Sequence, residues 1–308
     1  MDSLKDRVLD ASKRFDTESL RSILTFTDLD TLQASGLSIV EILNAAIACD
    51  DERLAESCLA AGVALSKQMD ADAKVFDALF AIMARAAARW DKIDILEYCL
   101  DQGAEPSTYL GGAAAFRGCE RSFQLLMSRG LDINANYGYA GDALCSAALG
   151  NKLNMVNFLI ENGAHLHCRF MYCRLYGPLA CAAMYGSTNM LELLISKGTA
   201  IYGSLALHQA VTFGRTDIME YLIAAGADVN EMPQDKDSYT GADFWPGRPI
   251  HFAAEYRKLQ PVKVLIEHGA DPTQLNSRHQ TVLEVSVRDG ESWKELEDLL
   301  RERGSSLI

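Results

Sequence analysis

The stretch from Gly163 to Arg174, GAHLHCRFMYCR, is where this chain gathers side chains able to ligate a metal. His165, His167, Cys168 and Cys173 offer imidazole and thiolate, the donors zinc favours, and the spacing between the two cysteines is permissible. Alternation along an extended segment weakens the case, because it sends Cys168 to the face opposite His165 and His167. No carboxylates stand nearby to orient the imidazoles. The segment reads as an ordinary connecting finger, with a metal the alternative its composition leaves open. Catalytic constellations are missing: no phosphate-binding Gly-Lys-Ser/Thr loop, no G-x-G-x-x-G after a strand, no G-x-S-x-G and no H-E-x-x-H. These residues imply no cofactor and no enzyme.

The bulk properties narrow the class further. The chain has 308 residues, 49% hydrophobic, with a formal charge of −13. That is ample apolar material for a core. No run of basic residues exists, so direct nucleic-acid binding is not expected. The charged N-terminus lacks the apolar run of a signal peptide, and no uninterrupted apolar segment is long enough to span a membrane. Cys49, Cys58, Cys99, Cys119, Cys145 and Cys181 fall inside helical patterns, which fits buried thiols better than disulfides. The expectation is an intracellular protein of cytoplasm or nucleus, monomeric by itself.

The elements that would position any site recur. Gly62, Gly103, Gly130, Gly163, Gly198, Gly226, Gly269 and Gly304 are each placed to end a leucine-rich helix, roughly every 35 residues. The segment from Gly177 to Gly198 shows the unit. Pro178 suits a first helical turn, Ala182 and Ala183 keep one face small, Gly186 ends the short helix and Ser187 caps the next. That second helix sets Met190, Leu191, Leu193, Leu194 and Ile195 on its apolar side. Replacing Leu193 by alanine is expected to cost about 2–5 kcal/mol. The same frame fits the segments 142–164, 205–230 and 248–272.

The sequences Pro249-Ile250-His251-Phe252-Ala253-Ala254 and Gly226-Ala227-Asp228-Val229-Asn230 resemble the ankyrin repeat. The resemblance extends over nearly the whole chain and implies a mainly α ankyrin-repeat solenoid. About nine helix-turn-helix units with short β-hairpin fingers are expected. Residues 1–35 read as a degenerate capping repeat, 36–275 as repeats with an insertion near 231–247, and 276–308 as a C-terminal cap. His208 and His251 fall at the family's histidine position, which implies a structural role. Fingers are expected to be truncated before Gly130 and Gly226, and extra residues after Gly62 to lengthen a linker and the following inner helix. The turn from Gly138 to Leu144 is similar in style to ankyrin proteins of filamentous fungi.

In this family the end of each inner helix lines the concave face, thirteen or fourteen residues before the terminal glycine. Those positions hold Arg89 and Trp90, Phe116 and Arg117, Leu149 and Gly150, Met184 and Tyr185, Thr212 and Phe213, and Glu255 and Tyr256. Five of the six pairs contain an aromatic residue, where 8% aromatic content would place about one. Aromatic residues and Arg are enriched at protein interfaces, because they bury much area with little entropy loss. Tyr139 and Tyr172 on the fingers, and Tyr239 and Trp245 in the insertion, would extend the patch. The competing reading is that the rings pack between inner helices, or that Trp245 folds back onto the next finger. The expectation is a non-catalytic scaffold or regulator, holding an extended peptide or a helix of a protein partner. A transcription coregulator is the first version; an adaptor or inhibitor of a cytoplasmic enzyme is the alternative, and an unusual groove enzyme a distant third.

Overall fold

The computed structural model describes residues 3–14, 16–24, 27–68, 73–137, 141–166, 177–232, 247–287 and 293–302. Two compact units divide the chain, Met1–Ala135 and Asn136–Ile308.

In the first unit, α1 (Leu4–Lys13), α2 (Thr17–Leu24) and α3 (Leu29–Ala34) precede three helix pairs. The inner helices are α4 (Ile39–Cys49), α6 (Ala73–Arg89) and α8 (Thr108–Arg117). Their outer partners are α5 (Glu52–Gln68), α7 (Ile93–Asp101) and α9 (Glu120–Ser128). The helix α4 begins with a capping box, in which Ser38 Oγ accepts from the Glu41 N–H and Glu41 Oε2 accepts from the Ser38 N–H. Those bonds hold the Glu41 carboxyl below its ordinary range. Each inner helix packs against the next, α4 on α6 and α6 on α8. They approach through Ala45, Ala46, Ala86, Ala87, Ala114 and Ala115, all buried.

The second unit repeats the pattern. Its inner helices are α10 (Ala143–Leu149), α12 (Pro178–Tyr185), α14 (Ala206–Thr212), α16 (Pro249–Glu255) and α18 (Val282–Ser286). The outer ones are α11 (Leu153–Glu161), α13 (Thr188–Ser196), α15 (Thr216–Ala224), α17 (Leu259–Glu267) and α19 (Lys294–Glu302). Helices this short are unstable alone, so side-by-side packing of the inner row must supply their stability. Pro178 occupies the first turn of α12, and Ser187 Oγ accepts from the Met190 N–H, as the sequence predicts.

Six of the terminal glycines, Gly103, Gly130, Gly163, Gly198, Gly226 and Gly269, hold left-handed backbone with φ between 89° and 103°. A second left-handed position lies between inner and outer helix, at Asp50, Asp91, Gly118, Asn151, Gly214 and Arg257. Asp and Asn tolerate this region better than most residues. Asp91 and Asn151 also use their side chains to hold the start of the next repeat's outer helix. Asp91 Oδ1 accepts from the Ser122 N–H and Oγ–H, at 3.0 and 2.8 Å. Asn151 Oδ1 does the same for Ser187, at 3.1 and 3.0 Å. One side chain thus satisfies the turn and the start of the neighbouring outer helix.

Three expectations are corrected. Gly62 does not end a helix: α5 continues through it to Gln68. A Cβ at position 62 would come within 2.7 Å of Met83 Sδ, so this glycine serves the close approach of α5 to α6. Gly304 lies outside the described residues. Leu193 is half-buried, whereas Met190, Leu191 and Leu194 are fully buried. Among the described residues the fingers contain no strand. Asp132, Asp228 and Asp271 each accept the N–H two residues on, which bends the finger into a turn before a ladder can form. The connections 102–107 and 197–205 are short, matching the truncated fingers, and the residues after Gly62 lengthen both α5 and α6.

In urea unfolding, Leu194→Ala is expected to lower stability by about 2–5 kcal/mol. Leu193→Ala should lose distinctly less. Equal losses would mean that α13 does not present the face described.

Candidate partner-binding surfaces

The inner helices α6, α12, α14 and α16 have inner neighbours on both flanks and outer helices behind, so their ends and finger sides are what reaches solvent. In the second unit these ends carry three rings. Tyr185 closes α12, Phe213 caps α14 and Tyr256 caps α16, with 58%, 37% and 46% of their surface exposed. Tyr185 and Phe213 meet edge to face, ring centroids 5.0 Å apart. The rings thus touch between neighbouring helices and still offer area to solvent. Arg215 fixes the turn beside them, donating to the Met184 and Gly186 carbonyls and pairing with Asp217.

The first unit is built differently. Phe116 is exposed at the end of α8, as expected. Trp90, expected on the open face, is only 6% exposed. Its indole is covered instead, with the Arg89 guanidinium 5.7 Å from the ring centroid, and a ring of that size gains more from packing than from solvent. Trp90 is therefore a core residue. Arg117 is engaged as well, since its Nη1 lies 2.7 Å from Asp50 Oδ2. Asp50 also holds Arg89, at 3.2 Å, so one carboxylate serves two guanidinium groups.

Tyr139, Tyr172, Tyr239 and Trp245 lie outside the described residues, as do His167, Cys168 and Cys173. His165 is exposed beyond α11. Among the described residues no group of three His, Cys, Asp or Glu side chains is placed to hold a metal ion. The six cysteines placed on helices form no disulfide; five are buried, and burial pushes the Cys58 and Cys99 thiols up to about 12. Cys119 is half-buried just before α9, where its Sγ–H donates to the Arg89 carbonyl.

His208 and His251 are wholly buried. His208 meets Phe252 edge to face at 5.1 Å, joining α14 to α16. Burial lowers the His208 pKa to about 4, with the backbone groups of Glu231 and Gly247 acting in the opposite direction. Burial, then the Arg248 charge, lowers His251 to about 4. Neutral imidazoles inside the stack fit the structural role. Glu231, at the start of the insertion, is buried with its carboxylate accepting the Gly203 N–H at 2.6 Å; burial raises its pKa.

Two exposed tyrosines escaped the sequence reading. Tyr202 stands on the short finger before α14 and Tyr109 in the first turn of α8, 61% and 58% exposed. Neither occupies the helix-end register, and only the three-dimensional neighbours of Tyr109 give it meaning. The Arg85 guanidinium lies 4.4 Å from its ring centroid.

Short alanine-faced inner helices, backed by leucine-rich outer helices and joined through left-handed turns, define a helical-repeat solenoid protein. Residues 144–233 match ankyrin repeats in three copies, and residues 248–277 match a further ankyrin repeat. These segments of the chain are thus similar to ankyrin repeats. It is 34% identical over 87 residues to BCL-6 corepressor-like protein 1 of Homo sapiens, covering 28% of this chain and 4% of that protein. It is 33% identical over 128 residues to Ankyrin repeat and SOCS box protein 11 of Danio rerio, covering 40% of this chain and 37% of that one. The chain thus spans well under half the length of either relative. The crystal structure of the human ASB11 ankyrin repeat domain shares the fold, with a TM-score of 0.53 and 21% identity, covering 71% of this chain and 96% of that one. Among the described residues no helix is long and apolar enough to cross a membrane.

The buried histidines make stability pH-dependent. Between pH 6.5 and 4 the unfolded chain binds protons that the folded chain refuses, so stability is full above pH 6.5 and falls as the pH drops towards 4. Each histidine contributes a slope of about 1.4 kcal/mol per pH unit in that window. Urea midpoints at pH 7 and pH 5 should differ less for His208→Gln/His251→Gln than for the wild type. Parallel shifts in both proteins would contradict neutral, buried imidazoles.

Proposed function

We propose that this chain is a non-catalytic interaction module that holds a protein partner against the exposed aromatic ends of its inner helices. Ankyrin repeats mediate protein binding. The observation that carries the finer reading is the row Tyr185, Phe213 and Tyr256, solvent-facing at the ends of three successive inner helices. Rings on rigid helix ends lose little entropy when covered, which makes them suitable anchors. The occupant is an extended segment or a helix laid across the helix ends. Its role is that of a regulator, with transcription coregulation the version favoured by the resemblance to a corepressor-like protein. A formal charge of −13 argues that any DNA contact is made by the partner.

The test is an affinity capture from nuclear and cytoplasmic extracts, comparing wild type with Tyr185→Ala/Phe213→Ala/Tyr256→Ala at matched helicity and melting temperature. Interface anchors are each worth more than about 1 kcal/mol, so the triple variant should lose its partner at least about tenfold. A nuclear partner that binds DNA would support coregulation. Capture unchanged by the triple variant would remove the aromatic ends as the binding site, and tight binding of naked DNA at physiological salt would overturn the indirect role.

A further inference from the structure

The first unit contains a groove of about 720 Å³, walled by α4, α6 and α8 and floored by the short finger 102–107. The helix α6 runs from Ala73 to Arg89, longer than its neighbours α4 and α8. Its residues between Ala78 and Arg85 line the groove, with Ala78 exposed. Val40, Ala78 and Ile82 give the groove an apolar lining, and Tyr109 stands on its far side, 58% exposed.

Arg85 lies between these walls, half-buried. Among the described residues its guanidinium has one close companion, the Tyr109 ring at 4.4 Å, and no carboxylate within ion-pair distance. Burial lowers its pKa; the Tyr109 hydroxyl opposes this, and the Arg89 charge adds to it. One turn further along α6, Arg89 shares Asp50 with Arg117. Of these three guanidinium groups, Arg89 and Arg117 are paired, both to Asp50, and Arg85 is not. Glu105 is the acidic residue on the groove's floor, and it is exposed to water. The positive group in the groove is thus a guanidinium whose face rests on a ring and whose N–H groups remain available. A carboxylate fits such a fork with two parallel hydrogen bonds, and a partly desolvated setting strengthens them.

We infer that this groove receives an acidic segment of a partner protein, placing an Asp or Glu carboxylate on Arg85 and apolar side chains against Val40, Ile82 and Tyr109. This rests on the protein-binding reading above and assigns the first unit a chemistry of its own, separate from the aromatic helix ends of the second.

The test pans random twelve-residue peptides displayed on phage against the whole chain. Enriched sequences are then synthesised and titrated by fluorescence anisotropy. Peptides should carry Asp or Glu beside apolar residues, and binding should weaken as salt rises. Arg85→Ala should weaken them at least about tenfold, Arg85→Glu should abolish binding, and Arg85→Lys should retain part of it. The variants are compared at matched helicity and melting temperature, which a partly exposed side chain should leave unchanged. Tyr185→Ala/Phe213→Ala should leave these peptides unaffected. Enrichment without acidic residues, binding that ignores Arg85, or no enrichment at all would overturn the inference. Peptides lost only in the Tyr185 and Phe213 variant would overturn it while upholding the aromatic helix ends. Peptides dependent on Arg85, together with extract capture unchanged by the triple variant, would uphold the groove and overturn those ends.

Discussion

Everything in each unit depends on how closely one inner helix can approach the next. The seven or eight residues of α10, α12, α14 and α16 make about two turns, too little for a helix to persist in water without tertiary support. The support comes from flanks kept short by alanine: Ala147 and Ala148 on α10, Ala182 and Ala183 on α12, Ala253 and Ala254 on α16, all fully buried. A larger side chain at these places would separate the row and expose the outer helices' leucines. Where both flanks are consumed, as on α12 and α14, the positions left for recognition lie at the helix ends and on the finger side. Tyr185 and Phe213 occupy the first kind of position, Tyr109 the second. The location of candidate binding residues is thus a consequence of packing.

The turns obey a second constraint that couples to the first. Each inner helix must reverse into its outer partner within a few residues, and six of these turns use left-handed backbone to do so. Glycine would meet that need alone, yet Asp91 and Asn151 stand there in two repeats. Their side chains accept from Ser122 and Ser187 of the following repeat, so a residue slightly strained in its own turn is offset by bonds to its neighbour. Stability in such a stack is shared between adjacent repeats, and these bonds are one place where the sharing is visible.

Features governed by nearby residues were legible in the sequence. Proline at a first turn, serine at a cap, paired alanines and glycine after a leucine-rich helix each state a local preference that the fold respects. Legibility failed where the deciding atom lay in another element. Gly62 resembles the other terminal glycines, but its environment is set by Met83 across the interface, and the helix runs on. Trp90 shares the register of Tyr185 and Phe213, yet it is covered while they are open. Arg117 could be identified as an interface type, but its pairing with Asp50 joins residues of α8 to the turn after α4. The groove around Arg85 was invisible for a related reason: its lining comes from α4, α6, the finger 102–107 and α8, which only the fold brings together.

The two units show how one architecture carries different chemistry. At the inner-helix ends of the first, Asp50 gathers Arg89 and Arg117, while Arg85 stands over a tyrosine without a carboxylate. At the ends of the second, uncharged rings dominate. These side chains can vary because they add little to the alanine-to-alanine contacts behind them; an exposed ring or a surface ion pair contributes modestly to stability. Positions that hold the stack together admit few residue types, whereas those that face solvent are fixed in space and open in chemistry. A longer α6 changes the shape of the first unit's surface without altering the row beneath it. Recognition in such a chain is set by what projects from the ends of a nearly invariant core, and so can differ from repeat to repeat.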